Sequence, residues 1–462
     1  METKSIRAST TPATRREFLK KTTVATAAVA AAPLFKTKVY GQAPSANVIG
    51  ANNRITVGSI GVGAQGMNAH VNLLTAHASE NNIALAAVCD VWPKRSAAAK
   101  AFIEKGNTAA KVDTLGDYQK LLERKDIDAV VIATHDPMHA RATIAALEAG
   151  KHVYCEKPMT RYLDEAFAVE DAVKKTKKIL QVGSQGCSAL AWHKAAEMIQ
   201  AQKIGELVWA QGYYCRNSID GEWNKTDVED DMKADAIDWD KWLGPVSKRP
   251  FDPESYARWR KFYPFCAGLL GDLMPHRLHP LMLAMGKPEF PSRVVAVGTK
   301  NVHADKNKPG ARERDVPEHI ELLAEFPSGV SLMLACSTVN ATSPEFAIYG
   351  HKATLKIGSV GERLQLVPER PFADEIDVET LEGLKPTEAI EVHHKDWFDS
   401  IRANKQPNCG IELAVRVQTV VSLAEMSDRL KVACLFDEKT RKVTTGDGKE
   451  IKPISYGTLP LS

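Results

Sequence analysis

The chain has 462 residues, of which 44% are hydrophobic and 25% charged, with a formal net charge of +3. This composition excludes a disordered, collagen-like or polytopic membrane protein, and the length predicts two or three domains, each with its own core. The basicity is confined to residues 1–43, which carry a net +6, so the remainder is mildly acidic and has no nucleic-acid footprint.

Residues 14–20 read TRREFLK, and an uncharged run rich in Ala, Val and Thr follows over 22–34. A basic segment, a short apolar stretch and small residues near a cleavage point mark an export signal, and the run is shorter than the ~20 residues that a membrane span needs. Arg15-Arg16, with Phe18-Leu19-Lys20 behind it, resembles the twin-arginine (Tat) signal. That resemblance implies a folded, periplasmic protein carried by the twin-arginine export machinery, its cofactor loaded beforehand. The signal is expected to be cleaved after Ala32 or Ala43, or kept as a membrane anchor. Eight cysteines form no CxxC pair and are expected to be reduced and structural.

After a polar linker (44–53), the apolar run Ile55–Ile60 leads into GVGAQG, with Gly61, Gly63 and Gly66 in GxGxxG spacing, and a helical pattern follows. A glycine turn between strand and helix cradles a dinucleotide: the glycines permit the tight turn, the approach of the pyrophosphate and helix packing. The next strand, Ile83–Cys89, ends in Asp90, where an acid accepts hydrogen bonds from the adenosine ribose. This favours NAD, while Lys94 and Arg95 leave NADP open. A predicted helix over 115–123 is followed by a strand over 129–133, a helix over 138–149, a strand over 152–155, a helix over 163–174 and a strand over 179–182. This alternation predicts a doubly wound parallel sheet over 54–185, with ligands beyond the carboxyl ends of its strands. There lie Gln65, Asp90, Thr134, His135, His139, Glu156, Lys157 and Gln185, which together with the three glycines form the expected cofactor set.

The segment AVVIATHDPMHARATIAALEAGKHVYCEKPMT, closing on Glu156-Lys157-Pro158, resembles the Gfo/Idh/MocA oxidoreductases, and the resemblance spans nearly all of 54–440. It implies a Rossmann domain followed by a C-terminal α+β domain on a large, open, mostly antiparallel sheet (186–440), and a cis proline at Pro158. It also implies NAD(P)-dependent oxidation or reduction of hydroxyl carbons of sugars and polyols. GDLMPHRLHP, over 271–280, resembles the family's second signature, with His279 in place of its last Asp and Pro275 in place of a Gly. By this resemblance Lys157, Asp272 and His276 are catalytic. Hydride leaves a carbon only when its hydroxyl proton is removed. His276 is the expected base, Asp272 orients it, and Lys157 holds the hydroxyl oxygen or relays its proton. Asp272, His276 and His279 also have spacing that admits a metal, but no further ligand cluster accompanies them, so none is expected.

Residues 217–262 form a polar insertion holding four of the eight tryptophans. Its WDKWLGP stretch pins a loop, and its indoles offer faces to a sugar. Arg216, Asn217 and His279 are the expected substrate contacts. His393-His394 reads as a solvated or packing pair. Five strand-like runs between 293 and 357 form the second sheet, helices over 395–403 and 414–433 return to it, and 441–462 is a tail. Relatives dimerise or tetramerise through the open face of this sheet, so a homo-oligomer is expected. Two rival functions stay open: a redox-neutral NAD-dependent glycoside hydrolase or lyase acting through transient oxidation, and a non-catalytic sugar-binding protein.

Overall fold

The computed structural model describes residues 53–107 and 110–459. The expected export signal and all but the last residue of the expected linker lie outside them. The first sheet holds β1 (Ile55–Ile60), β2 (Ile83–Cys89), β3 (Asp113–Leu115), β4 (Ala129–Ile132), β5 (His152–Glu156) and β6 (Leu180–Gly183). Their order is β3-β2-β1-β4-β5-β6, all parallel. Such a sheet is covered on both faces, and β4 (AVVI) is accordingly buried at every residue. The expected helix over 115–123 is divided, because β3 takes Leu115 and Asp117 caps a shorter helix, Tyr118–Leu122, by accepting from the Gln119 N–H.

The second sheet has eleven strands: β7 (Leu207–Cys215), β8 (Arg293–Thr299), β9 (His319–Glu325), β10 (Ser331–Ser337), β11 (Ala347–Gly350), β12 (Ala353–Ile357), β13 (Arg363–Pro368), β14 (Glu379–Glu382), β15 (Cys434–Asp437), β16 (Lys442–Thr444) and β17 (Glu450–Ile451). Neighbours are antiparallel except β7 and β10. One face is open, so β8 and β9 alternate: Val294, Ala296, Ile320, Leu322 and Ala324 point into the core, while Val295, Val297 and Leu323 are exposed. The expected tail over 441–462 is not free over its described residues, 441–459. They supply β16 and β17, and Tyr456 packs edge-on against Tyr162.

The helix Ile411–Leu430 joins the two halves. Ser427 Oγ and Asp428 Oδ1 accept from the backbone N–H groups of Ala296 and Gly298 in β8. Glu425 receives both terminal nitrogens of Arg161, just beyond the Lys157 turn, at 2.6 and 2.8 Å. Removing one partner of such a buried, bidentate pair costs about 3–5 kcal/mol, so it locks the turn to the second domain. All eight cysteines are free, and seven are buried.

Candidate active site

β1 delivers the chain into the glycine turn. Gly61 has φ +81°, and a Cβ there would stand 2.8 Å from the Ala133 backbone, while one on Gly66 would run into the Gly61 carbonyl. The helix that follows opens as a π-helical segment, Gly66–Val71, before continuing as α-helix over Asn72–Ala76. At the end of β2, the Asp90 carboxylate accepts the N–H groups of Val62 and Trp92, both at 2.9 Å. Burial raises its pKa, opposed by Arg95 and these two donors. Lys94 points away to Glu229 and Asp231 of the insertion, at 2.6 and 2.7 Å. The guanidinium of Arg95 instead lies near both the Trp92 ring (5.1 Å) and the Tyr256 ring (4.9 Å) and lines a cavity of about 810 Å³.

That cavity runs from the glycine turn to the second domain, and its lining includes Gly61, Gly63, Gln65, Asp90, Thr134, His135, His139, Glu156, Lys157, Gln185, Arg216, Asp272 and His276. Gly66 stands behind the turn. The arrangement fits a dinucleotide: close backbone packing at the glycines, an acid at the end of β2, and a buried His135 Nε2 that has no hydrogen-bond partner among the described residues. The His135 ring stacks on Trp242 of the insertion at 4.1 Å, and Trp242 stacks on Trp239 at 4.6 Å, so the WDKWLGP loop is pinned against the cofactor domain.

Lys157 sits at the end of β5, followed by a cis peptide to Pro158. Its ammonium donates to the Asp272 carboxylate and to the Asp272 carbonyl, each at 2.7 Å. The same carboxylate takes Arg260 Nε at 3.0 Å and the Trp223 indole N–H at 2.8 Å. Burial would raise the Asp272 pKa, but Lys157 and Arg260 hold it well below the usual carboxylate range. The expected Asp272–His276 orientation contact is therefore replaced: Asp272 spends its oxygens on Lys157, Arg260 and Trp223. Among the described residues no hydrogen bond is made by the His276 ring, which lies 5.7 Å from the Tyr214 ring. Burial and the nearby Lys157 charge push its pKa down to about 3, so it is a neutral imidazole at working pH.

Two expected substrate contacts fall elsewhere. His279 is buried and does not line the cavity: its Nδ1 meets the Pro275 carbonyl one turn back along the same helix at 2.9 Å. Asn217 is exposed and bridges to Val339, outside the cavity. Arg216 lines the cavity but is paired with Glu222 at 2.9 Å. Glu156 does not face the cavity freely either: it accepts from His70 at 2.8 Å and Gln65 at 3.0 Å. His70 in turn meets His394 at 2.9 Å, so His393-His394 is a buried packing pair.

Arg260, Trp223 and His70 carry no sequence signal of their role. Trp223 stands out only within a tryptophan-rich stretch. It takes a left-handed backbone (φ +68°), held because Arg314 binds the neighbouring Glu222 carbonyl and the buried Asp305 carboxylate.

Comparison with known proteins sharpens this geometry. Residues 55–184 match the model of an oxidoreductase family's NAD-binding Rossmann fold, and residues 245–432 match that family's C-terminal alpha/beta domain. The chain belongs to the Gfo/Idh/MocA oxidoreductase family. Its cofactor is NAD. A glycosyl hydrolase family 109 protein 1 of Bacteroides fragilis is 32% identical over 169 residues, 36% of either chain. An inositol 2-dehydrogenase/D-chiro-inositol 3-dehydrogenase of Lactiplantibacillus plantarum is 31% identical over 189 residues, 40% of this chain and 51% of that one. The matches thus span only about a third to a half of these relatives. A levoglucosan dehydrogenase in complex with NADH and levoglucosan shares the fold, with a TM-score of 0.62 at 21% identity over 82% of this chain and 98% of that one. An oxidoreductase domain protein from Kribbella flavida does so with a TM-score of 0.64 at 22% identity over 83% of this Gfo/Idh/MocA chain and all of its own.

Proposed function

We propose that the protein is an exported, NAD-dependent oxidoreductase that oxidises a hydroxyl carbon of a sugar or polyol. The observation that carries this reading is the Lys157 ammonium, held on the Asp272 carboxylate in the same cavity as the glycine turn and a neutral His276. Gly61, Gly63, Asp90, Arg95 and Thr134 would hold the nucleotide, and its nicotinamide supplies the hydride acceptor. A neutral imidazole with unengaged ring nitrogens takes the hydroxyl proton. The Lys157 ammonium donates to the same oxygen as negative charge develops on it. Asp272 keeps that ammonium in place. Export is inferred from Arg15-Arg16 and the apolar run behind it. A homo-dimer or homo-tetramer is inferred from the open sheet face, where Val295 and Leu323 pair across β8 and β9, both exposed.

A redox-neutral glycosidase or lyase is the second reading, favoured by the 32% identity to a glycosyl hydrolase family 109 protein. Incubating NAD-loaded protein with sugars, inositols and glycosides, while following 340 nm absorbance and product masses, separates the two. Absorbance growth with an oxidised product supports the dehydrogenase, and bond cleavage without net absorbance change supports the rival. Neither signal across the panel refutes both.

A further inference from the structure

The helix Asp136–Glu148 starts at the end of β4 and carries His139 in its first turn, 1% exposed. Its Nδ1 lies 2.7 Å from the carbonyl oxygen of Pro158 and its Nε2 lies 3.2 Å from the carbonyl oxygen of Thr134. A carbonyl oxygen only accepts, and a neutral imidazole has a single N–H. Both contacts are hydrogen bonds only when both nitrogens carry protons. We propose that His139 is kept as a buried imidazolium that staples the Thr134 turn to the Lys157–Pro158 turn, making it a positioning residue for the nicotinamide end of the cavity and for Lys157.

The surrounding groups support a charge there. Asp136 lies three residues earlier, and its buried Oδ2 is without a hydrogen-bond partner of ordinary geometry among the described residues; its carboxyl acts on the ring as a counter-charge, although burial raises its own pKa. From β5, Cys155 approaches His139 while its thiol reaches the carbonyls of Glu156 and Met159. His135, the neighbouring ring, is kept neutral by burial and by His139 itself. Arg260, the Cys266 thiol and Arg161 also act on Asp136, each lowering the pKa that burial raises. Burial opposes the imidazolium, but Cys155, Asp136 and the Pro158 carbonyl outweigh it and raise the pKa to about 9.

The sign follows from the raised value. The stabilisation is fully present below the ordinary histidine pKa of about 6.5 and is lost as pH climbs through about 9. Above that, one bare nitrogen faces a carbonyl oxygen and one of the two turns is released.

The test uses NAD-loaded protein labelled with [15N]histidine. Among its 13 histidines, the His139 signals are those lost in His139→Gln or displaced in Asp136→Asn. At pH 7 both ring nitrogens should show protonated shifts. In parallel, the NADH dissociation constant from fluorescence should rise about tenfold in the wild type between pH 8 and 10. It should be weaker and flat in His139→Gln, and in Asp136→Asn its inflection should move to lower pH. If His139→Gln does not fold, Asp136→Asn and the wild-type spectrum decide. A bare ring nitrogen at pH 7, or an alkaline inflection that neither variant alters, overturns the proposal.

Discussion

At the nucleotide end of the cavity, the turn that meets the cofactor is tied by groups close in sequence: the Val62 N–H reaches Asp90 across 28 positions of one strand–helix–strand unit. At the substrate end, one carboxylate gathers Lys157, Trp223 and Arg260, which lie 115, 49 and 12 positions from Asp272. The first region is a local motif with backbone donors and glycines. The second is a meeting of three separate segments, one of them an insertion braced by the buried pairing of Arg314 and Asp305 at 2.7 Å. A local motif has to satisfy only its own turn geometry, whereas an assembled site depends on long-range packing at every partner.

This contrast can be broken experimentally. Lys157→Ala should produce the largest effect: removing the donor to the developing alkoxide should cut turnover by roughly 10³-fold, with NADH binding kept within about threefold. Turnover near wild type would remove Lys157 from the chemistry. Gly66→Ala drives a methyl group into the Gly61 carbonyl, so NADH affinity should fall by about 100-fold, checked by fluorescence titration alongside circular dichroism.

On the assembled side the effects should be graded. Arg260→Lys should lower kcat by about tenfold, since a lysine cannot reproduce the directed Nε bond, and Trp223→Phe by about fivefold, each leaving NADH binding unchanged. Equal loss of NADH affinity would show that the two ends are not separable. His276, with its pKa near 3, keeps its proton-accepting form above that value and loses it only as pH falls through it. The profile of kcat/KM should therefore lack an acid limb near pH 6.5, and such a limb moving with His276→Asn would correct the assignment. The smallest effect belongs to Asn217→Ala, which should leave KM within about twofold because the residue lies outside the cavity.

The sequence by itself determined the doubly wound domain, the glycine turn, Asp90, Lys157 and the spacing of Asp272 to His276. Each is written in local periodicity or in a motif whose geometry is set by adjacent residues. It also determined most strands of the second sheet, through the alternation that a half-exposed sheet imposes on β8 and β9. Only the tertiary structure decided that Asp272 serves Lys157 instead of His276, that His279 and Asn217 lie outside the cavity, and that β16 and β17 complete the sheet. Those outcomes turn on which side chain reaches a shared carboxylate first and on how one helix is rotated against its neighbours. Both are properties of packing between segments distant in the chain, and no local pattern encodes them.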